Sequence, residues 1–114
     1  MRESDIQRQI RDYLSLRRIF HYRNNSGGFK DTNQHFYRFG VFGSPDIICV
    51  IEGRYVGIEV KASKGRQSEH QKAFQRELEE AGGLYIIARS LSLSFWSCML
   101  DCSSLDWVVV LYPN

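Results

Sequence analysis

Paired cysteines and long hydrophobic runs are both missing from this 114-residue sequence. Its three cysteines, Cys49, Cys98 and Cys102, are odd in number and lack the spacing of a zinc site, so we expect structural thiols and no disulfide framework. Cys49 lies inside the apolar run Ile47–Ile51. Runs of this length are far too short to span a bilayer, and no membrane partner is therefore expected.

A strong net charge is missing as well. Fifteen Lys and Arg residues against thirteen Asp and Glu residues give a formal net charge of +2, which is too small to indicate nucleic-acid binding on its own. The charge is unevenly distributed, because residues 1–40 hold eight basic residues against four acidic ones. This excess is compatible with a phosphate-contacting surface. It is also compatible with a solvated helix face, and charge alone favours that second interpretation.

A secretory signal is not expected either. Residues 1–5 are charged and lead into an amphipathic pattern instead of an apolar signal core. With 43% hydrophobic and 25% charged residues, the composition is that of an ordinary globular protein, and the length suffices for one domain but not for two. We therefore expect a single cytoplasmic domain over residues 1–114, without a small-molecule cofactor.

Periodicity and turn residues predict an α/β domain. Helices are predicted over residues 3–17, 68–81 and 91–100, and strands over residues 18–23, 46–51, 55–62, 84–88 and 107–111. The polar and aromatic stretch 29–43 has no clear period, and we interpret it as a long loop of the kind that is often functional. The order of elements implies a mixed central β-sheet flanked by helices.

Charged side chains in two neighbouring strands form the most informative pattern. Asp46 starts one apolar strand, and Glu59 and Lys61 flank Val60 in the next strand. Because side chains alternate along a strand, Glu59 and Lys61 share a face, and pairing of the two strands would bring all three side chains together. Two carboxylates and one ammonium suit Mg²⁺ or Mn²⁺ beside a phosphate, which indicates a metal-dependent nuclease. A turn role for Asp46 and a solvent-facing Glu–Lys row are the alternative interpretations.

The motifs around these residues carry a family resemblance. They are Ser44-Pro45-Asp46, Glu59-Val60-Lys61, Lys64-Gly65-Arg66 and Ser68-x-x-Gln71. The first two match the PD-(D/E)xK nuclease superfamily. All four, preceded by a helix that contains Glu3, resemble the virus-type replication–repair nuclease (VRR-NUC) domain in its standalone phage and prophage form. The resemblance spans residues 3–89 and implies a restriction-endonuclease-like core that hydrolyses phosphodiester bonds with Mg²⁺ or Mn²⁺.

The resemblance also implies roles for single residues. Catalytic residues fall at Glu3, Asp46, Glu59, Lys61 and Gln71. Metal ligands fall at Asp46, Glu59 and the carbonyl of Val60, with Glu3 acting through water. Two of these residues have an alternative role, because Glu3 in the first turn of a helix favours the macrodipole and Gln71 can complete a capping box with Ser68.

Candidate DNA-binding residues lie outside this set. They are Asn25, Lys30, Arg38, Lys64 and Arg66. Lys64 and Arg66 follow the catalytic strand, where phosphate contact and a flexible solvated loop are equally good interpretations.

Standalone VRR-NUC domains are similar to phage resolvases, which implies a preference for branched DNA such as Holliday (four-way) junctions. Two symmetric cuts require a twofold dimer, so we expect a homodimer. The apolar C-terminal third, with Phe95, Trp96 and Trp107, is a candidate dimer surface, and an ordinary core is the alternative. A nuclease that prefers flaps or linear DNA, and a non-catalytic DNA-binding module, are the competing hypotheses.

Overall fold

A computed structural model describes residues 2–24 and 27–90 of the chain. The elements in chain order are α1 (Glu3–Leu16), β1 (His21–Arg23), β2 (Gly27–Lys30), β3 (Phe36–Phe39), β4 (Ile47–Ile51), β5 (Arg54–Val60), α2 (Glu69–Glu80) and β6 (Leu84–Ala88). Strands β1, β4, β5 and β6 form a sheet in that order, in which only the β5–β6 pair is parallel. The predicted α/β class with a mixed sheet and helices is confirmed.

The two strands that carry the charged motif are neighbours, as predicted. They form an antiparallel hairpin in which Ile47 lies opposite Ile58. Both residues of its turn have positive φ, 50° at Glu52 and 80° at Gly53. This backbone conformation matches the twist of the flanking strands in a two-residue turn. The start of β4 and the end of β5 are therefore side by side.

The apolar core lies between α1 and one face of the sheet. Ile6, Ile10 and Leu14 recur every four residues, so they form one buried stripe on α1. They pack against alternate residues of the strands, including Ile58 and Val60. Because strand side chains alternate, Glu59 points to the opposite face of the sheet. This alternation determines where the candidate site can form.

The predicted long loop over residues 29–43 is wrong in part, because the chain there contains a second, two-stranded sheet. Strands β2 and β3 pair with each other in antiparallel fashion and with no other described strand. The turn between them is closed by Asp31, whose Oδ1 accepts hydrogen bonds from the backbone amides of Asn33 and His35, each at 2.9 Å. Phe36 and Tyr37 are adjacent in the sequence and both exposed, so the hairpin lacks the alternation that identifies a strand.

The ends of other elements also differ from prediction. Helix α1 ends in a Schellman motif, in which Arg18 has a φ of 58° and the Ile19 amide donates to the Leu14 carbonyl at 2.9 Å. This turn delays the first strand, predicted from residue 18, to His21. Strand β5 ends at Val60, so Lys61 follows the strand instead of lying within it.

Helix α2 and strand β6 follow the prediction closely. The helix begins after Ser68 and stops before Gly82, whose φ is 97°. Its apolar residues Phe74 and Leu78 are half-buried. The predicted helix at 91–100 and strand at 107–111, with Cys98 and Cys102, lie outside the described residues. A bilayer crossing would require a longer and more apolar helix than any in the described part of the chain.

Candidate active site

The segment that carries Asp46 is fixed by hydrogen bonds from Asn24. The Asn24 side-chain amide donates to Ser44 Oγ at 2.7 Å and to the Pro45 carbonyl at 2.9 Å. The backbone amide of Asn24 donates to the Asp46 carbonyl at 2.8 Å. Three bonds from one residue therefore hold Ser44, Pro45 and Asp46 at the start of β4.

Two glycines let this segment approach its neighbours closely. Gly43 has a φ of 85°, and a Cβ at this position would lie 2.3 Å from the carbonyl oxygen of His70 at the start of α2. A Cβ at Gly57 in β5 would lie 2.5 Å from Cγ of Pro45. Neither position has room for a side chain, so glycine is what permits the close approach at both. The loop, β5 and α2 thus enclose one cleft.

Asp46 and Glu59 meet at this cleft as a pair of carboxylates. Asp46 Oδ2 accepts a hydrogen bond from the Val60 backbone amide at 2.8 Å. Glu59 is only 3% exposed, and its Oε2 accepts a hydrogen bond from the Tyr85 hydroxyl at 3.2 Å. Each carboxylate therefore has one oxygen bonded to a protein donor. The two carboxyl groups also hydrogen-bond to each other, and a cation between them would replace the proton that they share.

The pair attracts positive charge. Burial, followed by a hydrogen bond with Asp46 and the negative charge of Asp46, raises the pKa of Glu59 to about 8, although the charge of Lys61 acts in the opposite direction. Without a cation, Glu59 therefore keeps its proton at neutral pH. Two adjacent carboxylates are hard oxygen donors whose negative charge needs compensation. They therefore fit a small divalent cation.

The cleft itself is open and has a volume of about 380 Å³. Its lining comprises Phe42, Gly43, Ser44, Asp46, Glu59, Ser68, His70 and Gln71. The carboxylates lie on the sheet side, and the first turn of α2 supplies the opposite wall. A ligand that enters the cleft would reach both.

Gln71 completes a capping box and also lies at the cleft, while its predicted catalytic role stays a prediction. Its Oε1 accepts from the Ser68 backbone amide at 2.8 Å, and Ser68 Oγ accepts from the Gln71 backbone amide at 3.2 Å. The predicted capping box is confirmed. Gln71 also lines the cleft with Asp46 and Glu59.

Glu3 and Lys61 lie at the end of β5. Glu3 Oε1 accepts a hydrogen bond from the Ala62 backbone amide at 3.1 Å, one residue beyond Lys61. In the described ranges 2–24 and 27–90, no group of three or more His, Cys, Asp and Glu side chains is arranged to hold a metal. The side chains that fit a cation in the cleft are the carboxylates of Asp46 and Glu59, and the contact of the Val60 carbonyl stays a prediction. The contact of Glu3 through water stays a prediction.

The basic loop after β5 is tied to the end of β6 by Arg89. The Arg89 guanidinium donates to the Ala62 carbonyl at 2.8 Å and to the Gly65 carbonyl at 2.7 Å. The loop that these bonds hold presents Lys64 and Arg66 to solvent.

The remaining candidate DNA-binding residues are only partly described. Lys30 is exposed on β2. Arg38 lies on β3, but its side chain is outside the description, as is the whole of Asn25.

Sequence reasoning missed the residues that support the site. No motif in the sequence singles out Asn24, and the predicted strand over residues 84–88 gives Tyr85 no role in the site. A signal for Tyr85 exists, because alternation in β6 places it on the same sheet face as Glu59. A buried hydroxyl on that face needs a partner, and a carboxylate is a strong acceptor.

No protein-family model matches this chain, and no curated protein matches it. Its function is therefore inferred from the residues of the cleft and their geometry.

Proposed function

We propose that this chain is a divalent-metal-dependent DNA endonuclease of the VRR-NUC type, with a restriction-endonuclease-like core. Its substrate in this proposal is branched DNA such as a four-way junction. The observation that carries the proposal is the Asp46–Glu59 pair, which opens onto a cleft and has one oxygen of each carboxylate bonded to a protein donor. Burial of a carboxylate costs free energy of folding. A buried carboxylate beside a second one therefore favours a function for the pair.

Asp46, Glu59 and the Val60 carbonyl would hold Mg²⁺ or Mn²⁺ in this proposal. When bound, the cation lowers the pKa of a water molecule and offsets charge on the phosphate. Lys61 directs its ammonium at the scissile phosphate and stabilises the negative charge that develops there. Hydrolysis breaks the bond between phosphorus and the 3′ oxygen, so one product carries a 5′-phosphate and the other a 3′-hydroxyl.

The DNA backbone would contact the basic surface around the cleft. Lys64 and Arg66 are exposed on the loop that follows β5, and Lys30 is exposed on the β2–β3 hairpin. The hairpin leads directly into Phe42 at the rim of the cleft. Asn25 and Arg38 complete the proposed contact set from their positions in the sequence.

A non-catalytic DNA-binding module is the second candidate. It is favoured by the lack of a third acidic or histidine ligand among the described residues. In such a module, Lys61 and the basic loop would contact DNA while the buried carboxyl group stayed protonated. Metal binding separates the two candidates, because only the nuclease requires it.

The test combines cleavage with calorimetry. Purified protein is incubated with Mg²⁺ or Mn²⁺ and labelled four-way junction, flap and linear duplex DNA. We expect paired symmetric cuts in the junction that disappear in Lys61→Ala and persist in Lys72→Ala, a control that removes an exposed lysine outside the cleft. We also expect calorimetric Mn²⁺ binding that Asp46→Asn abolishes.

Each other outcome points to a different conclusion. Cleavage of flaps or linear ends without cleavage of the junction would support the proposed active site and contradict junction resolution. Cleavage by Lys61→Ala at the wild-type rate would remove Lys61 from the mechanism. A protein that neither cleaves DNA nor binds Mn²⁺ would favour the DNA-binding module instead.

The proposed junction cleavage also implies a homodimer, because two symmetric cuts need two active sites. The apolar C-terminal residues considered for its interface lie outside the described residues. Sedimentation at micromolar concentration tests the dimer, and a monomer would contradict it.

A further inference from the structure

We propose that Tyr85 is a positioning residue that holds the Glu59 carboxylate in its cation-binding orientation, an inference that rests on the proposed function. The Tyr85 side chain is 2% exposed and that of Glu59 is 3% exposed. The Tyr85 hydroxyl donates to Glu59 Oε2 at 3.2 Å. This hydrogen bond joins Glu59 to a neutral donor, and it lies entirely inside the protein.

The sheet explains how the hydroxyl reaches the carboxylate. In the parallel β5–β6 pair, Tyr85 lies opposite Gly57, which is two residues before Glu59. Tyr85 and Glu59 therefore share the sheet face that points away from α1. The Phe74 ring of α2 lies against the Tyr85 ring, with centroids 6.3 Å apart. The tyrosine ring is thus held between the sheet and the helix.

A second side chain contacts the Tyr85 hydroxyl. The Gln67 side chain hydrogen-bonds to this hydroxyl, and its amide donates to Gln75 Oε1 at 2.7 Å. Gln75 Nε2 donates in turn to Glu79 Oε1 at 2.8 Å. The tyrosine proton itself is donated to Glu59 Oε2. One row of hydrogen bonds therefore runs from the surface of α2 to the carboxylate.

The consequence for a cation follows from the two oxygens of Glu59. Oε2 is bonded to Tyr85, so Oε1 is the oxygen that the site offers to a metal, just as the Val60 amide reserves one oxygen of Asp46. Without the hydroxyl, the carboxylate could rotate or turn both oxygens towards Asp46. Partners of this kind typically contribute 10- to 100-fold to metal affinity or activity.

The decisive measurement is the affinity of the folded protein for Mn²⁺ alone, determined by calorimetry. Tyr85→Phe keeps the ring against Phe74 and removes only the hydroxyl. We expect Mn²⁺ affinity to fall about 10- to 100-fold. Tyr55→Phe is the matched control, since Tyr55 is a half-buried tyrosine on the same sheet face and four residues before Glu59. Its Mn²⁺ affinity should equal that of the wild type.

A second variant removes the support of the tyrosine without altering the core. Gln67→Leu breaks the row of hydrogen bonds at a partly exposed position. We expect a smaller loss of Mn²⁺ affinity than in Tyr85→Phe. If Tyr85→Phe does not fold, Gln67→Leu decides the question, and unchanged affinity in that variant overturns the inference.

The outcomes distinguish this inference from the proposed function. If the wild-type protein binds no Mn²⁺, the proposed metal site and the positioning role of Tyr85 are both rejected. Wild-type protein that binds Mn²⁺ and cleaves DNA, with Tyr85→Phe matching it in affinity, would leave the function intact and overturn only the role of Tyr85. A lower melting temperature in EDTA with unchanged Mn²⁺ affinity would make Tyr85 a purely structural residue.

Discussion

Glu59 is the residue at which stability and the proposed chemistry conflict most directly. It occupies a sheet position as buried as its apolar neighbours, and its pKa is raised from an ordinary 4.5 to about 8. Burial is the largest cause, so the folded chain without a cation prefers the neutral acid. A group of this kind destabilises the fold when it is ionised, and binding of a cation would reverse that effect.

This conflict predicts an unusual dependence of stability on pH. Between pH 4.5 and about 8 the folded state keeps a proton on Glu59 that the unfolded state has released, so the free energy of unfolding falls as pH rises through this range. We expect the melting temperature in EDTA to decrease from pH 5.5 to pH 8. Glu59→Gln removes the titrating group, and its melting temperature should change less over the same range.

The control for this prediction is Glu80→Gln, which neutralises an exposed carboxylate at the end of α2. Its pH profile should follow that of the wild type. Saturating Mn²⁺ should remove most of the decrease in the wild type, because a bound cation replaces the proton. A Glu59→Gln profile identical to the wild-type profile would show that Glu59 does not titrate in this range.

At the scale of elements, the site depends on how closely the loop before β4 approaches the start of α2. Gly43 is the point of contact. Its φ is 85°, and a Cβ at this position would lie 2.3 Å from the carbonyl oxygen of His70. Gly53 has a similar φ of 80°, but a Cβ there would meet nothing within 4 Å. Substitution of Gly53 therefore causes backbone strain alone, whereas substitution of Gly43 causes backbone strain and a steric clash.

We expect Gly43→Ala to destabilise the protein more than Gly53→Ala. Both substitutions force alanine into a left-handed conformation, at about 1–2 kcal/mol. Only Gly43→Ala must also push the loop away from α2, and overpacking of this kind costs about 1–3 kcal/mol more. Gly43→Ala should also weaken Mn²⁺ binding, because the loop carries Asp46. Denaturant unfolding and calorimetry test both effects, and equal losses in the two variants would contradict the proposed contact.

Sequence patterns of buried residues predicted the helices and strands. Hydrogen bonds between residues that are distant in the sequence could not be predicted in this way. The apolar run Ile47–Ile51 and the strand pattern around Glu59 predicted the two strands of the β4–β5 hairpin, and Ser68 with Gln71 predicted the capped start of α2. The β2–β3 hairpin was missed because its exposed side chains give no alternation. Asp46 and Glu59 were predicted to meet, but the hydrogen bond from Tyr85 depends on the register of β6 against β5.

At the scale of the whole molecule, a net charge of +2 gives little general attraction to DNA. Binding must therefore depend on local groups of basic residues, and Lys64 and Arg66 are two such residues exposed on the loop that Arg89 holds after β5. Each phosphate contact releases counterions, so the salt dependence of binding counts the contacts that a variant has lost.

We therefore expect Lys64→Ala and Arg66→Ala each to reduce the slope of log K against log salt concentration by about 1. The measurement uses catalytically inactive Lys61→Ala as the background, so that cleavage does not remove the DNA. Lys72→Ala on the same background supplies the control, because it removes one positive charge from an exposed position on α2. Equal changes in all three variants would mean that binding follows total charge. A loss confined to Lys64 and Arg66 would locate the DNA path along the loop that links β5 to α2.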